Sequence, residues 1–434
     1  MPAVNRHRVG PVRTALFLGL LTVAIKWAVC LQCSYSEDLV RVAPWGFGYE
    51  EGHIAANVIA GNGFSITSAA GNLPAAWGST LPTTSSANFL PSAWVSPLYP
   101  LLLSEIFRYC GIFTPAAASV VIAVNCLAQG VTVSLLYLLG FHLGQKRVGF
   151  AAVGLFLVDP NAWQFLGWVW HTQLYAMLLL CHIYVLMRPA RSPVWQGCLL
   201  GITLALALLT DGAAVMLVPI TAFYVIRKKT GNNRILIGGA ALLSGALLMT
   251  PWAWRNYEAF GAFNPLRGSV STNLWVGNHA GNRDESYHGL SQSPWHNQEE
   301  FQTFVSLGEK GYSQLCRERV IAQVRSHPGR FLVDSLKRTT GFWFGEWWNG
   351  YSHIHWIYSA GLGIFTLLAI AGVYRGRKLH IELLLAVFLL FPLPYYLTVH
   401  GHGRYRAPIE PLICLAAALV FYRAEKSPSK SPQK

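Results

Sequence analysis

The chain has 434 residues, 53% of them hydrophobic, 13% aromatic and 12% charged, with a formal net charge of +14. Soluble domains carry roughly 25% charged residues. Half that figure, with repeated apolar runs of about 20 residues, excludes a soluble globular enzyme and reads as a polytopic, all-α membrane protein. The positive charge does not mark a nucleic-acid groove, because it sits in the short segments between apolar runs, as positive-inside sorting requires.

Ten spans are predicted, at residues 14–34, 115–140, 148–166, 171–187, 194–210, 213–227, 235–253, 355–374, 380–398 and 407–422. With the N-terminus inside, the cytoplasmic segments collect 18 of the 33 basic residues, against only Glu382 and Glu425. Both termini are therefore expected in the cytoplasm, and the protein in the inner (plasma) membrane. The first apolar run is too long for a cleavable signal and reads as a signal anchor. The expected organisation is 1–34, cytoplasmic N-terminus and first span; 35–110, first outer loop; 111–253, spans two to seven; 254–353, large outer loop; 354–423, spans eight to ten; and 424–434, a disordered basic tail.

In the first outer loop, Gly48-Tyr49-Glu50-Glu51-Gly52-His53 follows the first span closely. Residues 53–60 have helical apolar spacing, Gly61-Asn62-Gly63 breaks it, and residues 65–92 are rich in Ser, Thr, Gly and Pro. Residues 97–109 are apolar but short. They are read as a half-embedded helix, because a full crossing would invert every later loop against the charge rule. In the second outer segment, helices are predicted at 306–326 and 328–342, the latter flat in the interface. A segment of that length is expected to form a lid or cap. There is no internal repeat at a period of about 20–50 residues.

Several common sites are absent. There is no G-x-G-x-x-G after a strand, no Gly-Lys dipeptide of a phosphate loop, no H-E-x-x-H and no D-x-D to hold a nucleotide sugar through a metal. Glu50 and Glu51 have two readings. They are a solvated acidic turn or helix start, or a general base at a partly apolar interface, where one carboxylate raises the pKa of the other. Arg404 and Arg406, in His400-Gly401-His402-Gly403-Arg404-Tyr405-Arg406, and Arg255, after Pro251-Trp252-Ala253-Trp254, all face outward. They read either as snorkelling interfacial arginines or as bidentate phosphate ligands. Asp211 and Asp159 read as turn or cap residues. His171 faces out at a helix start. His353 with His355, and His400 with His402, have His-x-His spacing but no third metal ligand at a set distance. Eight cysteines are scattered. A bridge among Cys30, Cys33 and Cys110 is one reading, and lone buried thiols the other.

The stretches Phe47-Gly48-Tyr49-Glu50-Glu51-Gly52-His53-Ile54-Ala55, Gly61-Asn62-Gly63-Phe64-Ser65, Ala93-Trp94-Val95-Ser96-Pro97-Leu98-Tyr99-Pro100, Thr250-Pro251-Trp252-Ala253-Trp254-Arg255-Asn256-Tyr257, Leu274-Trp275-Val276-Gly277-Asn278 and Gly403-Arg404-Tyr405-Arg406-Ala407-Pro408 occur in this order across nearly the whole chain. Together they resemble the polytopic GT-C type glycosyltransferases, in particular the bacterial branch similar to lipid A aminoarabinose transferases and protein O-mannosyltransferases. The resemblance implies a GT-C-like bundle with two extracytoplasmic loop regions carrying interfacial helices. It implies a polyprenyl-phosphate sugar donor and a catalytic carboxylate in the first outer loop, Glu50 at the matching position with Glu51 beside it. It places arginines near the donor phosphate, here Arg255, Arg404 and Arg406. Tyr49, His53, His171, Asn256, Asn278, His279 and Tyr405 are expected to line the substrate site. Relatives often have an acidic residue where this chain has His171, and Asp-Glu or Asp-Asp where it has Glu50-Glu51. Some relatives bind a divalent metal, but no cofactor or transferable ligand set is assigned here.

The expected reaction needs a cation to hold a departing phosphate and one base to activate the acceptor, which predicts inversion at the sugar carbon. The acceptor is a lipid, a glycan or a protein. Membrane lipids are expected partners and nucleic acid is not. The alternative is a transporter or flippase of lipid-linked saccharides. That reading wants discontinuous spans in paired repeats, and the sequence shows no internal symmetry.

Overall fold

The computed structural model describes residues 6–41, 47–67, 89–188, 192–279, 292–295, 297–346, 353–377, 379, 381–398 and 403–422. Among the described residues the regular structure is helical except for one small ribbon. Five helical stretches are long and apolar enough to cross a bilayer: Gly10–Gln32, Pro115–Gly144, Pro193–Thr210, Asn232–Phe260 and Trp356–Arg375. Thr172–Met187 and Glu382–Thr398 are shorter apolar helices.

The bundle begins with α1 (Arg6–Gln32) and α2 (Tyr35–Arg41). In the outer layer come α3 (His53–Ile59), the strands β1 (Ser65–Thr67) and β2 (Phe89–Pro91), and α4 (Leu98–Cys110). Thirteen residues of α4 measure about 20 Å, too short for a hydrocarbon core of about 30 Å. Helix α5 (Pro115–Val158) is one helical run in the chain but two in space. A Cβ built on Gly140 would lie 2.7 Å from the Cα of Gly149, whereas nine residues of straight helix separate atoms by about 13 Å. The run therefore folds back on itself between these glycines into two apolar limbs, of which the first, Pro115–Gly144, is long enough to cross a bilayer. The first limb packs on α1 at a small-residue crossing. A Cβ on Gly130 would sit 2.9 Å from the carbonyl oxygen of Gly19, the close backbone approach typical of membrane helices.

Next come α6 (Pro160–Gln164), α7 (Thr172–Met187), α8 (Pro193–Thr210), α9 (Leu217–Lys228) and α10 (Asn232–Phe260). Gly197 and Gly201 of α8 lie against Ile237 and Ala241 of α10. The other side of α10 exposes Leu242, Leu243 and Leu247, an apolar wall that water would not tolerate and acyl chains would. The second outer segment contributes α11 (Val270–Asn278), α12 (Gln298–Ser326) and α13 (Pro328–Phe344). The last spans are α14 (His353–Arg375), the broken pair α15 (Glu382–Leu390) and α16 (Leu393–Thr398), the single turn α17 (Gly403–Arg406) and α18 (Glu410–Ala418). Every residue of α18 is buried, so this helix is the bundle's axis.

Three differences from the sequence reading have physical causes. The serine-rich stretch of the first outer loop contains an antiparallel pairing, with Ser65, Ile66 and Thr67 opposite Pro91, Leu90 and Phe89. Its strands are only three residues long, too short to show alternation. The span predicted at 148–166 stops at Val158, where Asp159 caps the next turn by accepting the Asn161 N–H at 3.1 Å. The span predicted at 380–398 breaks at Phe391–Pro392 between α15 and α16, because proline cannot continue the helical ladder. All eight cysteines are free thiols. Lys26, the mid-span cation, is buried with Gln129 and the Ala162 carbonyl as acceptors and stands 4.3 Å from the Trp163 ring centroid.

Gly372 of α14 faces the carbonyl of Ala416 in α18, leaving no room for a methyl group. Gly372→Ala is expected to destabilise the bundle by about 2 kcal/mol and lower the melting temperature of the detergent-purified protein. Gly154→Ala, where an added Cβ meets nothing within 4 Å, serves as the control and is expected to melt at or above the parent temperature.

Candidate active site

The two glutamates lie in a π-helical turn, Gly48–Gly52, just before α3. Gly52 is required there, because a Cβ would run into the carbonyl of Phe47. The turn separates the fates of the two side chains. Glu51 is buried, 2% exposed, and Glu50 is only partly buried.

Glu51 Oε1 lies 2.9 Å from Nδ1 of His171, and Nε2 of His171 lies 3.0 Å from Oδ2 of Asp211. A neutral imidazole offers one N–H only. With a carboxylate on each nitrogen, His171 is the doubly protonated imidazolium. Burial alone would lower its pKa. The hydrogen bonds and charges of Asp211 and Glu51 outweigh that and raise it above 6.5. For Glu51 burial pushes the pKa up, but the His171 hydrogen bond and charge, with Arg404 behind them, hold it below the usual carboxylate range. Asp211 is likewise lowered against its burial, first by His171 and then by the charge of Arg267. The cap reading of Asp211 is right as far as it goes, since its Oδ1 accepts the Ala213 N–H at 2.8 Å. Its other oxygen faces the site.

Glu50 moves the other way. Burial and the negative charge of Glu51 raise its pKa, and the opposing pull of Arg267, Trp94 and Arg404 does not cancel them. Its one direct neutral donor is the indole N–H of Trp94, at 2.7 Å from Oε1. Two adjacent carboxylates thus differ in state, one pinned as an anion and the other raised toward a proton-accepting range.

Arg404 brings positive charge from α17. Its Nη2 is 4.0 Å from Glu51 Oε1, and its guanidinium lies 4.2 Å from the Trp170 ring centroid, with 23% of the side chain exposed. Arg267 comes from the loop before α11. Its Nε donates to Ser269 Oγ at 2.8 Å, its stem packs against Gly212, and its charge bears on Glu50 and Asp211. Tyr405 follows Arg404, its ring 5.0 Å from that of Tyr395. Three carboxylates, an imidazolium and two guanidiniums therefore meet at one end of the bundle.

Other candidates from the sequence serve the scaffold. Arg406 is 1% exposed. It donates to both oxygens of Glu410, at 2.7 and 2.9 Å, and to the Trp343 carbonyl and Thr366 Oγ1 at 2.7 and 3.0 Å, so it has no face left for a phosphate. This corrects its expected role. Arg255 is also redirected. It donates to the carbonyls of Ser92 and Phe64 and stacks on Phe64, Trp252 and Phe260, which ties β1 and the segment after β2 to the end of α10. Asn256 closes the turn after α10 through the Asn264 carbonyl, at 2.8 Å. Asn278 binds the Leu397 carbonyl at 2.8 Å and accepts from the buried Arg338, joining α11 to α13 and α16. His279 packs on Trp275. Buried His53 lies 3.3 Å from Thr67 Oγ1, and desolvation lowers its pKa to about 4, so it is neutral beneath the ribbon. The side chains of Tyr49, His353 and His355, and all of His400 and His402, lie outside the described residues, as does the tail.

The seat of Trp94 has its own support. Gly308 breaks α12 at φ 67°, ψ 170°, and the next residue, Glu309, turns inward. Its carboxylate accepts from Ser92 Oγ at 2.7 Å and from the Ala93 N–H at 2.9 Å, while Ser92 Oγ accepts the Trp94 N–H at 3.0 Å. Burial pushes Glu309 up to about 7 in spite of these donors. Arg267, Asp211 and Glu309 are the residues the sequence reading did not assign to the site region. Only Asp211, as a cap at the end of an apolar run, carried any local signal.

Among the described residues no three His, Cys, Asp or Glu side chains are grouped to hold a metal ion. His171 has both nitrogens committed, and the neighbouring carboxylates already face cationic side chains.

No protein-family model matches the chain, and no curated protein matches it. Among solved structures it is similar to the Archaeoglobus fulgidus oligosaccharyltransferase tethered with an acceptor peptide containing the NVT sequon, with a TM-score of 0.50 and 15% identity over 93% of this chain and 49% of that one. The same archaeal protein in complex with Zn and sulfate gives 0.47 and 14%, over 92% and 48% of the two chains. ArnT from Cupriavidus metallidurans bound to undecaprenyl phosphate gives 0.39 and 10%, over 97% and 78%. The chain spans about half the length of the archaeal protein, and at this identity the likeness is one of fold, the GT-C membrane fold.

The His171 bridge makes stability depend on pH from both sides. The lowered Glu51 and Asp211 contribute above ordinary carboxylate pKa values and lose that contribution in acid. The raised His171 contributes below 6.5 and loses it as pH rises through its folded value. His171→Gln is expected to cost about 3 kcal/mol at neutral pH and to abolish the alkaline fall in melting temperature. Melting curves from neutral to alkaline pH test this. A variant that keeps the parent's alkaline slope would show that His171 is not the titrating group.

Proposed function

We propose that the chain is a membrane glycosyltransferase that moves a sugar from a polyprenyl-phosphate donor to an acceptor hydroxyl on the extracytoplasmic face. The single observation that carries this reading is the pairing of a pinned and a raised carboxylate with two guanidiniums that approach them. Glu50 is the base. It takes the proton as the acceptor oxygen attacks the anomeric carbon, the carbon–phosphate oxygen bond breaks on the opposite side, and the configuration inverts. The departing phosphate is a stable anion and needs no acid. It needs positive charge already in place, which Arg404 and Arg267 supply.

Glu51 and Asp211 act through His171. They hold a fixed cation beside the reacting groups and keep the second negative charge ionised, which keeps Glu50 the titrating member of the pair. When Glu50 has accepted its proton, the three cations face two anions. The pocket is then net positive at the moment the phosphate leaves. The Arg404 guanidinium stands 4.2 Å from the Trp170 ring centroid with 23% of the side chain exposed, and a guanidinium suits two-point binding of phosphate oxygens. The sugar and the acceptor, whether lipid, glycan or protein, are set by groups beyond this constellation.

Reconstituted protein with a polyprenyl-phosphate sugar is expected to release polyprenyl phosphate. Glu50→Gln is expected to reduce that release at least about 100-fold with unchanged expression and melting temperature. Unchanged turnover would move the base elsewhere, and movement of intact lipid-linked saccharide without release would favour a transporter. In the active parent, kcat/KM is expected to rise with pH through a value above 4.5, as the raised Glu50 loses its proton. It is expected to fall again as His171 deprotonates. Arg404→Gln is expected to raise KM for the donor more than it lowers kcat, measured by donor titration.

A further inference from the structure

At the other end of the bundle, α14 and the last helical segment pack tightly from Gly372 against Ala416 to Gly376 against Leu419. The bend of the α5 hairpin closes the third side. The opening is a cleft of about 470 Å³ lined by Arg147, Phe150, Ala151, Arg375, Val420 and Phe421. Arg147 follows the hairpin bend, and Arg375 is the last residue of α14, with Nε 3.4 Å from the Tyr422 carbonyl. Lys146 adds a third cation, its Nζ 5.6 Å from the Phe150 ring centroid. Among the described residues no carboxylate forms an ion pair with any of the three.

We propose that this cleft binds the headgroup of an anionic phospholipid. The chemistry is two-sided. Guanidiniums at the rim suit a phosphate diester, which they can grip through two N–H groups. Phe150 and Phe421 are 41% and 56% exposed, and they offer apolar surface where an acyl chain would begin. A soluble anion would use the arginines and leave the aromatics bare, and a zwitterionic lipid would gain little from three cations with which no carboxylate among the described residues pairs. The position agrees. Arg375 ends a bilayer-length helix, and the cleft lies at the end of the bundle that carries the basic segments, where basic pockets between membrane helices favour anionic headgroups. The site is separate from the carboxylate cluster, and the inference does not rest on the sugar-transfer reading.

The test uses the full-length purified chain in neutral detergent, with native mass spectrometry after addition of phosphatidylglycerol or phosphatidylcholine. One phosphatidylglycerol is expected to be retained in preference to phosphatidylcholine. The double variant Arg147→Gln/Arg375→Gln is expected to lose it by roughly 10-fold or more, given a few-fold per surface-proximal arginine. Arg188→Gln/Arg227→Gln changes the same charge at exposed positions on the same side and is expected to retain the lipid. Equal loss in both variants would reduce the effect to general attraction and overturn the proposal, as would equal retention of the two lipids by the parent chain. A melting curve for each variant confirms that it is folded, since both arginines are exposed.

Discussion

One imidazolium between two carboxylates fixes the candidate site. Glu51, His171 and Asp211 come from the turn before α3, the start of α7 and the end of α8. Each partner satisfies a charge that burial would otherwise make costly, so none of the three segments can move without stranding the other two. The arrangement also breaks the symmetry of the Glu50–Glu51 pair. One carboxylate is consumed by structure, and its neighbour inherits the electrostatic consequence.

Around this bridge the chain spends its arginines in two ways. Arg404 and Arg267 stay near the carboxylates with part of their surface open. Arg255 and Arg406 are girders, one holding the ribbon through backbone carbonyls and the other welded to Glu410. Sorting bias makes all outward cations stand out in the sequence, but it cannot separate a ligand from a girder. That distinction depends on which carbonyls and carboxylates arrive from elsewhere in the fold.

The membrane architecture was legible because a hydrocarbon solvent writes long apolar runs directly into composition. The α5 hairpin is an example, with two apolar limbs and Lys146-Arg147 at the bend. The Glu50-Glu51 turn and Arg404 were legible as polar residues at an expensive location. The role of His171 was not, since its partners lie 120 and 40 residues away. Asp211 announced itself as a cap because one of its oxygens is a cap. Arg267 sits in an irregular loop, where no periodicity points to a direction. The β ribbon was hidden by strands too short to alternate.

The anchoring of Trp94 by Glu309 has a consequence for biosynthesis. The carboxylate that seats Ala93 is encoded 216 residues downstream. A chain emerging from the ribosome presents the glutamate turn first, while the clamp for its indole partner is still untranslated. The corner around Trp94 is completed only after the segment that carries Glu309 has been made. Assembly of the candidate site is thereby coupled to synthesis of the chain through Glu309, and a product stalled before that point carries the acidic turn without the clamp that seats its neighbour.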